Sequence, residues 1–229
     1  MKSGALILMY HKIASPKGSG LQRNLYVTPR MFRLQMWYLK QAGFSVVALN
    51  DIVQVATAKK SAEKLIALTF DDGFRNFYEY ALPILDEFQY PATVYIVSDL
   101  VGRYDAWEHQ STNDRELLMS WDEILTCQAH HITIGSHTRT HPRLSTLKPA
   151  QITSEIKDSR RLLEDRLGSE VRHFCYPYGD YTSGIARSVA DAGYVSAVTT
   201  RRGRVHEGMN PFELPRTFIR RATNPFLFL

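Results

Sequence analysis

A chain of 229 residues that is 44% hydrophobic and 22% charged has the size and balance of one large soluble α/β domain, with two small domains the less favoured division. The net charge of +5 is dispersed, and no Lys/Arg run exceeds two residues, which argues against a nucleic-acid-binding surface and leaves a solvated face or a weak attraction to anionic surfaces. Cys127 and Cys175 match neither zinc nor redox spacing and read as buried free thiols. No apolar run reaches the length of a transmembrane helix. Residues 1–11 carry one Lys and an apolar run short for a leader, so the default expectation is a cytoplasmic protein, or a secreted or periplasmic one if a signal was removed ahead of residue 1.

In chain order, Ala5 to Tyr10 is an apolar strand with His11 at its end, followed by a loop from Ile13 to Leu25 that holds Pro16, Gly18 and Gly20. Thr28-Pro29 is a helix start, with Phe32, Met36 and Leu39 at helical spacing and Gly43 as the stop. A strand over Phe44 to Leu49 and a short helix over Asp51 to Ala58 lead to Leu65–Gly73. Asn76 to Phe88 is helical, Pro91 to Val97 is a strand, and Ser98 to Ser120 is a long polar loop. Trp121 to Ala129 is a helix and Ile132 to Gly135 a strand. Pro149 to Leu167 is a long amphipathic helix with Ile152, Ile156, Leu163 and Leu167 on one face. Strands over Phe174 to Tyr178, Val195 to Thr199 and Glu213 to Ile219, with a helix over Gly184 to Ala192, complete the chain. This unbroken alternation predicts a mainly parallel sheet in one domain spanning 1–229. Polar clusters after three strands favour a (β/α) barrel, with room for fewer than eight regular strands.

The stretch Leu65–Gly73 runs an apolar strand into Asp71, Asp72 and a turn-making Gly73. For Asp-Asp-Gly alone, helix capping by Asp71 is the commoner meaning. Carboxylates at a strand end also suit a metal ligand beside a proton acceptor. His137 and His141 stand four apart after another strand, and a helical turn between them would aim both imidazoles at one point. Two imidazoles and one carboxylate make a facial metal site with open positions, fit for Zn²⁺, Co²⁺, Ni²⁺ or Fe²⁺.

The motifs Thr69-Phe70-Asp71-Asp72-Gly73 and His137-Thr138-Arg139-Thr140-His141-Pro142 resemble the first two motifs of the polysaccharide deacetylase family, with similarity from Tyr10 to Ile219. The resemblance implies a distorted (β/α) barrel, a divalent metal, zinc first, held by Asp72, His137 and His141, and Asp71 as general base. It also implies removal of N-acetyl groups from N-acetylglucosamine-containing glycans, with glycan as partner and no nucleic acid.

Two departures stand out. The C-terminal Leu-x-His that commonly supplies the acid is missing, the last histidine being His206 in an Arg-rich loop. His11, in Tyr10-His11-Lys12-Ile13, resembles the early acid of circularly permuted poly-N-acetylglucosamine deacetylases and is the expected general acid, with a hydrogen-bonded loop histidine as the rival meaning. The usual Arg-x-Pro-Tyr reads Cys175-Tyr176-Pro177-Tyr178, and Arg216 is the candidate replacement, forking to Asp71 or else facing solvent from a strand end. Tyr178, Tyr176 and Trp121 are candidates for a sugar-stacking wall, with core packing the rival meaning for Trp121; Trp107 is expected at the groove rim. Two rival functions remain: a deformylase or amidase on a small or lipid-linked amide, and a catalytically silent glycan-binding module on the same scaffold.

Overall fold

The computed structural model describes residues 4–17, 20–57, 62–107 and 115–223. Its strands are β1 (Leu6–Tyr10), β2 (Lys12–Ile13), β3 (Tyr26–Val27), β4 (Ser45–Val46), β5 (Leu65–Phe70), β6 (Ala92–Ile96), β7 (Ile132–Ser136), β8 (His173–Cys175), β9 (Ser196–Val198) and β10 (Thr217–Phe218). Its helices are α1 (Pro29–Gln41), α2 (Leu49–Thr57), α3 (Leu82–Phe88), α4 (Trp121–Ala129), α5 (Pro149–Leu167) and α6 (Ser183–Asp191).

Eight strands form one curled parallel sheet in the order β10-β1-β5-β6-β7-β8-β9, with β4 beside the start of β5. β2 and β3 pair separately. The long strands are buried apolar runs, as a parallel sheet covered on both faces requires. Val198 bridges Leu214 while Thr217 and Phe218 pair with Leu8 and Met9, so the segment 214–218 spans from β9 to β1 and draws the half-barrel's rims together.

Strand parity sorts the core into two layers. Leu6, Leu8 and Tyr10 of β1 and Ile66, Leu68 and Phe70 of β5 pack outward against α1 and α3. Ile7, Ala67, Tyr95, Cys175 and Val198 face inward, in one cluster with Leu49, Ile52 and Val53 of α2. The same parity carries on past the strand end, so Asp71, two residues after Thr69 and four after Ala67, points inward.

Local chemistry accounts for most boundaries. Thr28 accepts from the Met31 amide and Pro29 opens α1. Ser120 and Glu123 form a reciprocal capping box on α4. Gly168 closes α5 in the left-handed region at φ 63°.

Three expectations are corrected. The strand foreseen over Phe44 to Leu49 shrinks to Ser45–Val46, because α2 already begins at Leu49. The helix over Asn76 to Phe88 opens with a π turn at Phe77–Ala81 before α3; Pro83 has no amide to offer one turn back. The strand foreseen from Phe174 stops at Cys175, where Pro177 and a left-handed Tyr178 turn the chain. No helix among the described residues is long and apolar enough to cross a membrane.

Candidate metal and acid–base site

The C-terminal ends of β5 and β7 meet at one point. In a continuing strand Asp72 would point away from Asp71, towards the helices. A left-handed kink at Asp72 (φ 75°) turns it back, and both carboxylates lie buried in the mouth of the sheet. Gly73 follows at φ 72°, where a Cβ would come within 2.9 Å of Ile96 Cδ1. Asp-Asp-Gly is thus a re-aiming device, and Asp71 caps no helix.

His137 prolongs β7, its amide donating to the Ile96 carbonyl at 2.8 Å. Its Nδ1 lies 2.7 Å from the Cys175 carbonyl, which only accepts, so Nδ1 carries the proton and Nε2 keeps a free lone pair. The helical turn expected between His137 and His141 is absent. Thr138 and His141 both adopt positive φ, 67° and 64°, and the His141 amide donates to Thr138 Oγ1 at 3.0 Å. Convergence comes from a kinked loop rather than from helical spacing.

Asp72 Oδ1 lies 3.4 Å from His137 Nε2 and 3.3 Å from His141 Nε2. Two ligands of a tetrahedral ion with bonds of about 2.0–2.1 Å stand about 3.3 Å apart. His141 Nδ1 is buried without a hydrogen-bond partner among the described residues. The donor set, its spacing and its burial therefore fit a divalent metal. Burial works against the charge on Asp72, but the two imidazoles outweigh it and hold its carboxyl well below the ordinary range.

Asp71 is bound quite differently. Arg216 donates from both terminal nitrogens to its two oxygens, at 2.6 and 2.7 Å. The guanidinium is itself buried and also donates to the Thr199 carbonyl at 2.9 Å and to Thr69 Oγ1 at 3.1 Å. Its remaining neighbour is Cys175 Sγ at 3.2 Å. A thiol at position 175 is small enough to leave room for a guanidinium arriving from the segment before β10. Burial raises the Asp71 pKa, and the opposed charge and hydrogen bonds of Arg216 more than reverse this, so the carboxyl sits below its usual value. Arg216 is therefore placed as a fork on Asp71 and faces no solvent.

His11 follows β1, with Nε2 at 3.9 Å from Asp71 Oδ2 and its ring 5.3 Å from Phe218. Burial lowers its pKa despite the nearby Asp71 and Asp72. Tyr178, at φ 60°, brings its ring 4.6 Å from His141, and the Arg143 guanidinium lies 4.1 Å from the centre of the same Tyr178 ring.

Two aromatic candidates belong to the core. Tyr176 is fully buried, donates to the Phe212 carbonyl at 3.0 Å and stacks on Tyr181 at 4.6 Å, because it shares with Phe174 the outer, helix-facing side of the sheet, opposite the inward Cys175. Trp121 opens α4 and packs against the main core with the Arg166 guanidinium at 5.5 Å. Trp107 comes closer than a rim position implies, stacking on His141 at 4.1 Å. Sequence reasoning also missed the Cys175 carbonyl and Thr138, which orient the two histidines. A backbone carbonyl has no signature in side-chain pattern.

Known proteins resemble this chain in sequence and fold. The polysaccharide deacetylase family model matches residues 58–197, more than half the chain. The chain is 29% identical over 211 residues to YxkH of Bacillus subtilis, covering 92% of this chain and 69% of that protein. It is 21% identical over 234 residues to the poly-beta-1,6-N-acetyl-D-glucosamine N-deacetylase of Staphylococcus epidermidis, covering 95% of this chain and 80% of the relative. The Streptococcus pyogenes deacetylase PplD superposes with a TM-score of 0.84 at 25% identity, over 97% of this chain and 95% of that one. The matched segment holds both carboxylates and both converging histidines, while His11 and Arg216 lie outside it. On its sequence and its fold alike, the chain belongs to the polysaccharide deacetylase family of enzymes.

Proposed function

We propose that this protein is a metal-dependent hydrolase that removes N-acetyl groups from N-acetylglucosamine-containing poly- or oligosaccharides. The observation that carries this reading is the pair of adjacent carboxylates held in opposite states of readiness. Asp72 faces two imidazole nitrogens, and Asp71 is locked ionised by Arg216.

Asp72, His137 and His141 would hold a divalent ion, zinc by preference and cobalt, nickel or iron as substitutes, which would supply Lewis-acid polarisation and make water more acidic. Asp71 accepts the proton of the attacking water, and Arg216 both aims its oxygens and keeps it unprotonated. Water oxygen bonds to the acetamide carbon, the carbon–nitrogen bond breaks, and acetate and a free amine result. His11 delivers a proton to that nitrogen. The burial that lowers its pKa makes its protonated form a ready donor. Tyr178, beside His141, offers the sugar a ring face and the reacting carbonyl a turn of backbone. Trp107, stacked on His141, narrows the water-accessible side of the site.

The test is acetate release from N-acetylglucosamine oligomers by chelated enzyme, before and after Zn²⁺ or Co²⁺ is restored. Metal-restored acetate is the expected result. Protein that takes up metal yet releases no acetate from any oligomer overturns the reading.

A further inference from the structure

We infer that the glycan acted on carries anionic substituents, carboxylate or phosphate, and that Arg202 and Arg220 receive them. This deepens the deacetylase reading and rests on it.

A cavity of about 740 Å³ is lined by His11, Tyr178 and Arg216 of the site and also by Arg202, Arg220 and Thr217. No Asp or Glu lines it among the described residues. Arg216 is neutralised by Asp71, so the uncompensated charge in this cavity comes from the other two arginines.

Their neighbours in sequence show the contrast. Arg201 pairs with Glu213 at 2.9 Å, and Arg204 donates to the Gly4 carbonyl at 3.1 Å. Between them Arg202 is exposed, and among the described residues no carboxylate stands within ion-pair distance of it or of Arg220. Arg220 is held against the cavity wall by the Phe218 ring, 4.9 Å away, and the same ring packs on His11. One aromatic side chain therefore fixes both a cation and the proposed acid. Guanidinium groups match the two oxygens of a carboxylate or phosphate. A neutral amino-sugar polymer would leave both unanswered in a cavity that opens on the catalytic groups.

The experiment compares three N-acetylglucosamine pentamers at low salt: unmodified, bearing one succinyl ester, and bearing one phosphate. We expect kcat/KM for at least one charged pentamer to exceed that for the neutral one by about fivefold to tenfold, the size two exposed ion pairs give. Added salt reduces the ratio. The larger ratio identifies carboxylate or phosphate as the natural group. Arg202→Ala/Arg220→Ala brings the ratio to about one, and Arg202→Lys/Arg220→Lys keeps most of it. Equal kcat/KM on all three pentamers, or a preference that survives the double alanine variant, overturns the inference. Absence of acetate from all three is instead the failure of the deacetylase reading. Calorimetric binding of the same pentamers then decides the groove without turnover, and equal affinities overturn it.

Discussion

The two halves of the site hold their carboxylates by opposite means. At Asp71 both carboxylate oxygens are answered: Arg216 grips them and is itself held by Thr199 and Thr69. Around Asp72 the backbone is bent instead. Asp72, Thr138, His141 and Tyr178 all take positive φ, and His141 Nδ1 has no partner among the described residues. Left-handed backbone at non-glycine residues costs on the order of 1–3 kcal/mol each and persists only where the surroundings enforce it. One half is organised by satisfied hydrogen bonds and the other by strain that brings three ligand atoms together. A saturated fork suits a group that must stay ionised and fixed. A strained, under-bonded cluster suits the holding of a metal.

The comparison breaks most sharply at Asp72. Asp72→Ala should abolish stoichiometric metal binding and, with it, turnover, and metal analysis of the purified variant reads this directly; retained metal would remove Asp72 from the ligand set. At the other half, Arg216→Met leaves a buried carboxylate unpaired and should cost about 3–5 kcal/mol in denaturant unfolding. Asp71→Asn/Arg216→Met should recover part of that loss. If the single variant unfolds within about 1 kcal/mol of the parent, the fork is not what holds this side.

Asp71→Asn sharpens the division, since it should keep metal while turnover falls about 10²–10⁴-fold. Loss of metal in this variant would mean that the two carboxylates share one role. His11→Ala should lower kcat by about 10²-fold with metal content unchanged. An intact rate would hand the acid's role to another group.

The smallest effect lies away from the site. His173 is buried against Ser196 Oγ at 2.9 Å, and burial pushes its pKa down to about 4. The unfolded chain binds a proton near pH 6.5 and the folded chain only near 4, so stability is complete above 6.5 and declines as pH falls between them. From pH 7 to pH 5, His173→Asn should lose about 2 kcal/mol less stability than the parent, measured by urea unfolding at both pH values. Equal losses would show that His173 titrates normally.

Which residues were legible follows from how locally each is determined. α4 and α5 begin and end where capping and periodicity place them, at Trp121–Ala129 and Pro149–Leu167, because caps and hydrophobic stripes act within a few residues. Asp71, Asp72, His137 and His141 stood out because each pair is contiguous or nearly so. The course of the chain between the histidines was misjudged, since a four-residue spacing is compatible with a helical turn and with a kinked loop alike. Tyr176 and Trp121 looked like groove aromatics because a ring face carries no mark of which side of a strand end it occupies.

The amino-acid sequence by itself determined the alternation of strand and helix, the carboxylate pair and the histidine pair, because propensity, capping and burial of apolar runs are local. Only the tertiary structure decided that Arg216 clasps Asp71 across 145 positions, that the Cys175 carbonyl orients His137, and that Arg202 and Arg220 line one cavity with His11. The physical reason is the curl of the sheet. It brings β10 against β1 and β8 against β7, so charges and carbonyls far apart along the chain meet in a low-dielectric mouth where each needs a partner.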